Sequence, residues 1–187
     1  MNNIRHFMLD IETTARTARA GVWQFAMVEF DLESGALKAD FINDTLSWYA
    51  QEDRDVSKET VDWTLENGDH KLFKHWDWGQ NYSTSIDELH TGIENRLGDY
   101  ETNPYMVWCK GAKFDFAILQ DLFATTLGLP APWHYRSEMC LRSVAQAYRL
   151  KTGRPYLFDK ASHNAFADCR SQAMAAYDIV QVLRHTN

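Results

Sequence analysis

Apolar positions come in two kinds of rhythm along this chain. Residues 4–12, Ile-Arg-His-Phe-Met-Leu-Asp-Ile-Glu, form a short apolar run that ends in two acids. Val22–Phe30 is almost continuously apolar. Both predict strands. Residues 31–35 make a polar turn of hairpin length, and residues 36–42 are a third strand, so an antiparallel meander opens the protein. Ser57 opens a short helix through Val61 and Leu65, and residues 70–84 read as a polar, aromatic loop. Ser85 caps a helix from Ile86 to Leu97, with Ile86, Leu89, Ile93 and Leu97 at helical spacing. Residues 104–108 are a short strand, and residues 113–127 a strongly apolar helix ended by Gly128 and Pro130. A helix follows over 138–150, then a loop with Gly153 and Pro155. The last helix spans 165–184, with Phe166, Cys169, Ala173, Ala176, Val180 and Leu183 along one stripe. Three strands followed by alternating helix and strand predict an α/β fold: a mixed five- or six-stranded sheet with helices on both faces.

Length and composition narrow the class. The 187 residues are most simply one domain over 1–187, without internal repeat or linker. A chain of this size buries roughly 70% of its unfolded surface, enough for a core without disulfides. Cys109, Cys140 and Cys169 are an odd count without CxxC spacing, which fits reduced thiols in a cytoplasmic protein. No apolar run has the length of a signal peptide or of the ~20 residues a membrane helix needs, so no membrane partner is expected. The net charge of −7 disfavours non-specific nucleic-acid binding, but it leaves room for an enzyme whose site recruits cations.

Chemistry concentrates in three places. Asp10 and Glu12 are two apart on a strand, so both point to one face, where a carboxylate pair suits a hard divalent cation. Acid pairs at this spacing also occur at Asp31/Glu33 and Asp99/Glu101, both in polar turn-like settings. Only Asp10/Glu12 follows a buried run, and the bland alternative for it is a solvated strand end. Asp115 opens the central apolar helix between Phe114 and Phe116, where an acid also simply complements the helix dipole. His163 and Asp168 bracket the start of the last helix, and separately they read as a surface His and a helix-dipole Asp.

Together, in this order and setting, these motifs resemble the DEDDh branch of the 3′–5′ exonucleases, which share a ribonuclease H-like fold. The resemblance extends from residue 7 to about 180. Within the branch, Trp-Cys-Lys-Gly-Ala-Lys-Phe-Asp-Phe at 108–116 is similar to the DexA exonuclease group of T-even phages. Val61-Asp62-Trp63 is similar to a segment of the same group, which includes a mycobacterial ribonuclease preferring polyadenylate. A phage origin suits this likeness. Many members of the branch carry Asn where this chain has Gly111, so a nucleotide contact from that position is not expected here.

The resemblance implies a two-metal phosphodiester hydrolase acting on 3′ ends of single-stranded DNA or RNA. Asp10, Glu12 and Asp168 would hold the first ion, Asp10 would bridge to a second, and Asp115 would support it. Mg²⁺ suits oxygen-only ligation, with Mn²⁺ as a substitute. His163 would be the general base, since imidazoles titrate at about 6.5 and are available neutral at pH 7–8. Ile11, Thr13, Trp63, Lys113 and Phe114 are the candidate substrate contacts, the aromatic ones by stacking on bases. Trp23 reads instead as core. Arg142, Arg149, Lys151, Arg154 and Lys160 form one candidate phosphate guide, and Arg16 and Arg19 another; ordinary surface charge is the alternative for both. Related exonucleases often dimerise, and Trp76-Asp77-Trp78 is a candidate homodimer contact or a loop cover. The competing functions are a catalytically silent nucleic-acid-binding protein on the same fold and a small-nucleotide phosphatase or phosphodiesterase.

Overall fold

The computed structural model describes residues 4–68 and 84–185. The meander is present as β1 (Arg5–Thr13), β2 (Val22–Phe30) and β3 (Leu37–Thr45), each antiparallel to the next. Asp31 closes the turn between β2 and β3: its Oδ1 accepts from the N–H groups of Glu33 and Ser34 at 2.9 and 2.8 Å. Gly35 completes that turn at φ 73°, a conformation that disfavours any other residue. Among the described residues the remaining elements are α1 (Lys58–Asn67), α2 (Ile86–Leu97), β4 (Tyr105–Cys109), α3 (Asp115–Leu127), a 3₁₀ turn (Tyr135–Ser137), β5 (Glu138–Cys140), α4 (Leu141–Thr152) and α5 (Ala165–Arg184). The five strands lie in the order β3-β2-β1-β4-β5, with β4 parallel to β1 and β5 parallel to β4. This is a mixed five-stranded sheet, the lower of the two strand counts expected.

Alternation along β1 builds two cores. Phe7, Leu9 and Ile11 face α2 and α3, packing with Ile93, Leu97, Leu119 and Phe123. Met8 faces the other way, and with Ala26 and Trp108 it meets α4 and α5 through Leu141, Ala173 and Ala176. Asp10 and Glu12 continue the Met8 face, so the same alternation that places core residues turns both acids toward α5. Small residues let α5 lie close to the sheet: the buried Cys169 thiol reaches the carbonyls of Met8 and Ala26 at 3.5 and 3.2 Å.

The sequence and the structure differ at two helix starts. Residues 138–150 are not one helix. Glu138, Met139 and Cys140 pair in parallel with Val107, Trp108 and Cys109, and the helix begins at Leu141. Three residues are too few to display a period, so the strand hides in the helix's leading edge. The helix expected from Lys113 starts at Asp115, because Gly111 to Phe114 form a turn in which Gly111 O accepts from Phe114 N and Asp115 N. The loop expected at 70–84 and the Trp76-Asp77-Trp78 contact lie outside the described residues, apart from Thr84, which bridges to Leu46. Trp23 is buried, as its strand position predicts, and all three cysteines are free thiols. Among the described residues no helix is long and apolar enough to cross a membrane.

A polar frame holds α1 beside the end of β1. Arg54 is buried; it donates to the carbonyls of Ala20 and Ala18 and pairs with Asp121 of α3 at 2.9 Å. Ser57 N donates to Thr14 O, and Thr14 Oγ1 donates to Asp55 O. Ser57 caps α1, whose Val61 and Leu65 then pack on Trp23 and Trp48. Gly21 sits inside this frame. A Cβ there would lie 2.5 Å from the Trp48 ring and 2.8 Å from Thr14 Oγ1. Gly21→Ala should therefore overpack a rigid site and lower stability by about 1–3 kcal/mol, read as a fall in the urea midpoint. An unchanged midpoint would mean that the frame yields freely.

Candidate active site

A cleft of about 610 Å³ opens where β1 ends. Asp10 and Glu12 enter it from β1, Asp115 from the first turn of α3, and Asp168 from the first turns of α5. His163, in the loop before α5, lines the same cleft. Five side chains separated by up to 158 positions thus meet in one place. Ligand-capable atoms of Glu12, His163 and Asp168 all lie within 4.8 Å of one another.

Each acid is held by its own local geometry. Asp168 accepts from Ser162 N at 2.7 Å, Ser162 Oγ at 2.9 Å and His163 N at 3.0 Å. These donors lock the loop onto the helix start, and Asn164 caps α5 by accepting from Ala167 N. His163 adopts φ 57°, an uncommon region in which His is enriched among non-glycine residues. Its ring meets the Trp63 ring edge-on, with centroids 4.4 Å apart. Asp115 accepts from Gly111 N at 3.2 Å across the turn after β4. Asp10 accepts from Gln172 Nε2 at 2.8 Å. Glu12 takes no hydrogen bond from a described residue.

Crowding these carboxyls away from water makes ionisation costly. Burial, then the charges of Asp115 and Glu12, push Asp10 well above the usual carboxylate range, against the pull of Gln172. Burial together with Asp168 and Asp115 pushes Glu12 up to about 8. Burial pushes Asp115 up to about 6, even though the Gly111 N–H, the Cys109 thiol and the Arg142 charge favour its anion. An all-oxygen set of crowded, largely buried acids has the donor chemistry that divalent cations satisfy.

The structure brings most of the sequence candidates together, with exceptions. Ile11, Thr13, Trp63 and Phe114 line the cleft beside the five central side chains. Trp63 is 44% exposed, on the opposite side of α1 from the Val61 and Leu65 that pack on the core. Lys113 is exposed and is not part of the lining; Lys110, one turn earlier, takes that place. Of the basic stretch 142–160, only Arg142 reaches the cleft. Lys151 is a correction. Its ammonium donates to the carbonyls of Val182, Leu183 and His185 at 2.8, 3.0 and 2.6 Å, so it caps the end of α5 rather than guiding phosphate. Arg16 lines the cleft, whereas Arg19 pairs with Asp53 at 2.8 Å. Sequence reasoning missed Gln172 and Ser162. Gln172 stands four residues after Asp168, one helical turn along the same face, and that spacing was its only signal.

A family model described as the 3′–5′ exoribonuclease Rv2179c-like domain matches residues 5–180. A search of curated proteins finds no match. Among solved structures, cell-death related nuclease 4 aligns with TM-score 0.68 and 17% identity, over 95% of this chain and 64% of that one. A moderately thermophilic exonuclease I from Methylocaldum szegediense aligns with TM-score 0.71 and 16% identity, over 97% of this chain and 41% of that one. The nuclease domain of 3′hExo, a DEDDh family member bound to rAMP, aligns with TM-score 0.64 and 12% identity, over 95% and 92%. At such identities the likeness is one of fold, the ribonuclease H-like fold of these exonucleases. The chain spans less than two thirds of the first two structures.

The raised carboxyls set a pH dependence of stability. Glu12 binds its proton more tightly folded than unfolded, so the stability it contributes is full below the ordinary carboxylate range and is lost as pH rises to about 8. In EDTA at about pH 8, Glu12→Gln should melt above the wild type, and the gap should shrink toward about pH 5. A wild type that melts higher at the alkaline end would show that Glu12 is not held among repelling neighbours.

Proposed function

The chain belongs to the Rv2179c-like family of 3′–5′ exoribonuclease domains, and from that premise we propose that it hydrolyses phosphodiester bonds at the 3′ end of single-stranded nucleic acid, RNA first, with divalent cations as cofactor. The observation that carries the reading is the meeting of Asp10, Glu12, Asp115, Asp168 and His163 in one cleft. A silent binding protein would have no use for four mutually repelling acids, whose assembly costs stability.

Asp10, Glu12 and Asp168, with Asp115 in support, would hold two Mg²⁺ or Mn²⁺ ions. Bound there, such ions supply an activated water and offset charge on the scissile phosphate and the leaving oxygen. The protein's own part is positioning. Asp10 is fixed by Gln172, Asp168 by the Ser162 and His163 N–H groups, and Asp115 by Gly111. His163 would accept the proton of the attacking water at a ring nitrogen, with its ring braced by Trp63. Trp63 and Phe114 offer aromatic faces in the cleft for the terminal bases, as single-strand binders use them.

The direct test is digestion of end-labelled single- and double-stranded RNA and DNA with Mg²⁺, with Mn²⁺ and with EDTA. A 5′-labelled single strand should shorten stepwise with either ion and stay intact in EDTA; internal cuts, or release of inorganic phosphate alone, would refute the reading. His163→Ala should lower kcat by about 10²–10⁴-fold at pH 7.5. An unchanged rate would remove it as the base. Asp10→Ala should weaken Mn²⁺ binding by calorimetry, and wild-type affinity would refute its assignment as a ligand.

A further inference from the structure

Three cationic side chains line the cleft: Arg16, Lys110 and Arg142. Two have partners. Arg16 pairs with Glu59 at 3.4 Å, and the Lys110 ammonium lies over the Phe158 ring, 4.9 Å from its centroid. Arg142 is exposed and makes no salt bridge with a described residue. Its position is nonetheless defined at both ends. Arg142 N donates to Lys110 O at 3.2 Å, which joins the start of α4 to the end of β4. Its guanidinium lies over Gly111: a Cβ there would sit 3.1 Å from Nη1 and 3.5 Å from Cζ. The guanidinium would have to move by a few tenths of an ångström to admit a Cβ at 111, and that place adjoins Asp115, which the Gly111 N–H holds.

A planar group with several N–H donors, beside the acids but bonded to none of them, matches an anion carrying several oxygens. We propose that Arg142 is the phosphate-gripping residue of the cleft, binding a backbone phosphate of the nucleic-acid strand, and that residue 111 is glycine because the guanidinium lies where a side chain would be. The assignment rests on the exonuclease reading for its ligand and on the Gly111–Arg142 packing for its geometry. It also gives the glycine a role: an amide at 111 and a guanidinium above it would compete for one space.

The test is binding, read separately from turnover. Labelled single-stranded RNA is titrated by anisotropy with Ca²⁺ in place of Mg²⁺, across about 50–200 mM salt. Arg142→Ala should weaken binding about tenfold and lower the salt slope by about one, while Mn²⁺ binding by calorimetry is retained, with a smaller change than that in RNA affinity. Arg142→Lys should keep the salt slope but recover only part of the affinity, because an ammonium lacks the planar fork. Gly111→Ala should weaken binding in the wild-type background and add nothing to Arg142→Ala, since both disturb the same guanidinium. Wild-type affinity and slope in Arg142→Ala would overturn the proposal, as would a wild type that binds no RNA. So would a Gly111→Ala effect of equal size in both backgrounds. A wild type that binds RNA through Arg142 yet degrades nothing would sink the exonuclease reading and leave this assignment standing.

Discussion

Repulsion among buried carboxylates governs the architecture. Asp10, Asp115 and Asp168 are all buried, and Glu12 is half-buried between them. Like charges this close in a low-dielectric setting repel one another, so the chain must hold them by force of packing. It does so by placing each on a different rigid support: a central strand, the start of α3 and the start of α5. Local donors relieve part of the cost. Asp168 receives three, Asp10 one from Gln172, and Asp115 those of the Gly111 N–H and the Cys109 thiol. Glu12 receives none from a described residue, and it titrates at about 8, above Asp115 at about 6. Helix propensity alone would never choose this arrangement, which suits divalent-cation binding.

Much of this was legible in the sequence because it depends on local signals. The alternation of Phe7, Met8, Leu9, Asp10, Ile11 and Glu12 states both the strand and the side on which the acids emerge. Ser57 and Ser85 mark helix starts, and the structure confirms both caps, the second as a full capping box with Glu88. What stayed hidden depends on long-range pairing. β5 exists only because Val107 to Cys109 are beside it, and three residues carry no pattern of their own. Lys151 and Arg142 have the same charge and lie nine residues apart on one helix. Nothing local says that one faces the end of α5 and the other the cleft. Gln172 was invisible for a related reason: its partner, Asp10, is 162 residues away.

The formal charge of −7 fits a protein that works on a polyanion once charge is counted locally. The acidic stretch around α1 is partly neutralised on its own surface, where Lys58 pairs with Asp62, Arg16 with Glu59, and Arg19 with Asp53. Such exposed pairs contribute little to stability, but they offset part of the acidic charge near the cleft. The one buried cation among them, Arg54, serves the fold by tying the segment before α1 to the 18–20 carbonyls and to α3.

That division of labour separates two halves of the cleft by stiffness. The acids stand on elements whose neighbours are the two main cores, as repelling groups require, since any slack would let them drift apart into water. α1 rests on less: a single buried residue, Thr64, the Val61 and Leu65 contact with Trp23 and Trp48, and the hydrogen bonds of the frame before it. It carries Trp63, which touches His163 and presents an aromatic face to the cleft. A helix anchored by a few polar contacts opens at lower free energy than the core it leans on. Under the proposed reading, the wall that would meet bases of different size can therefore adjust, while the part that would keep oxygen atoms in register does not.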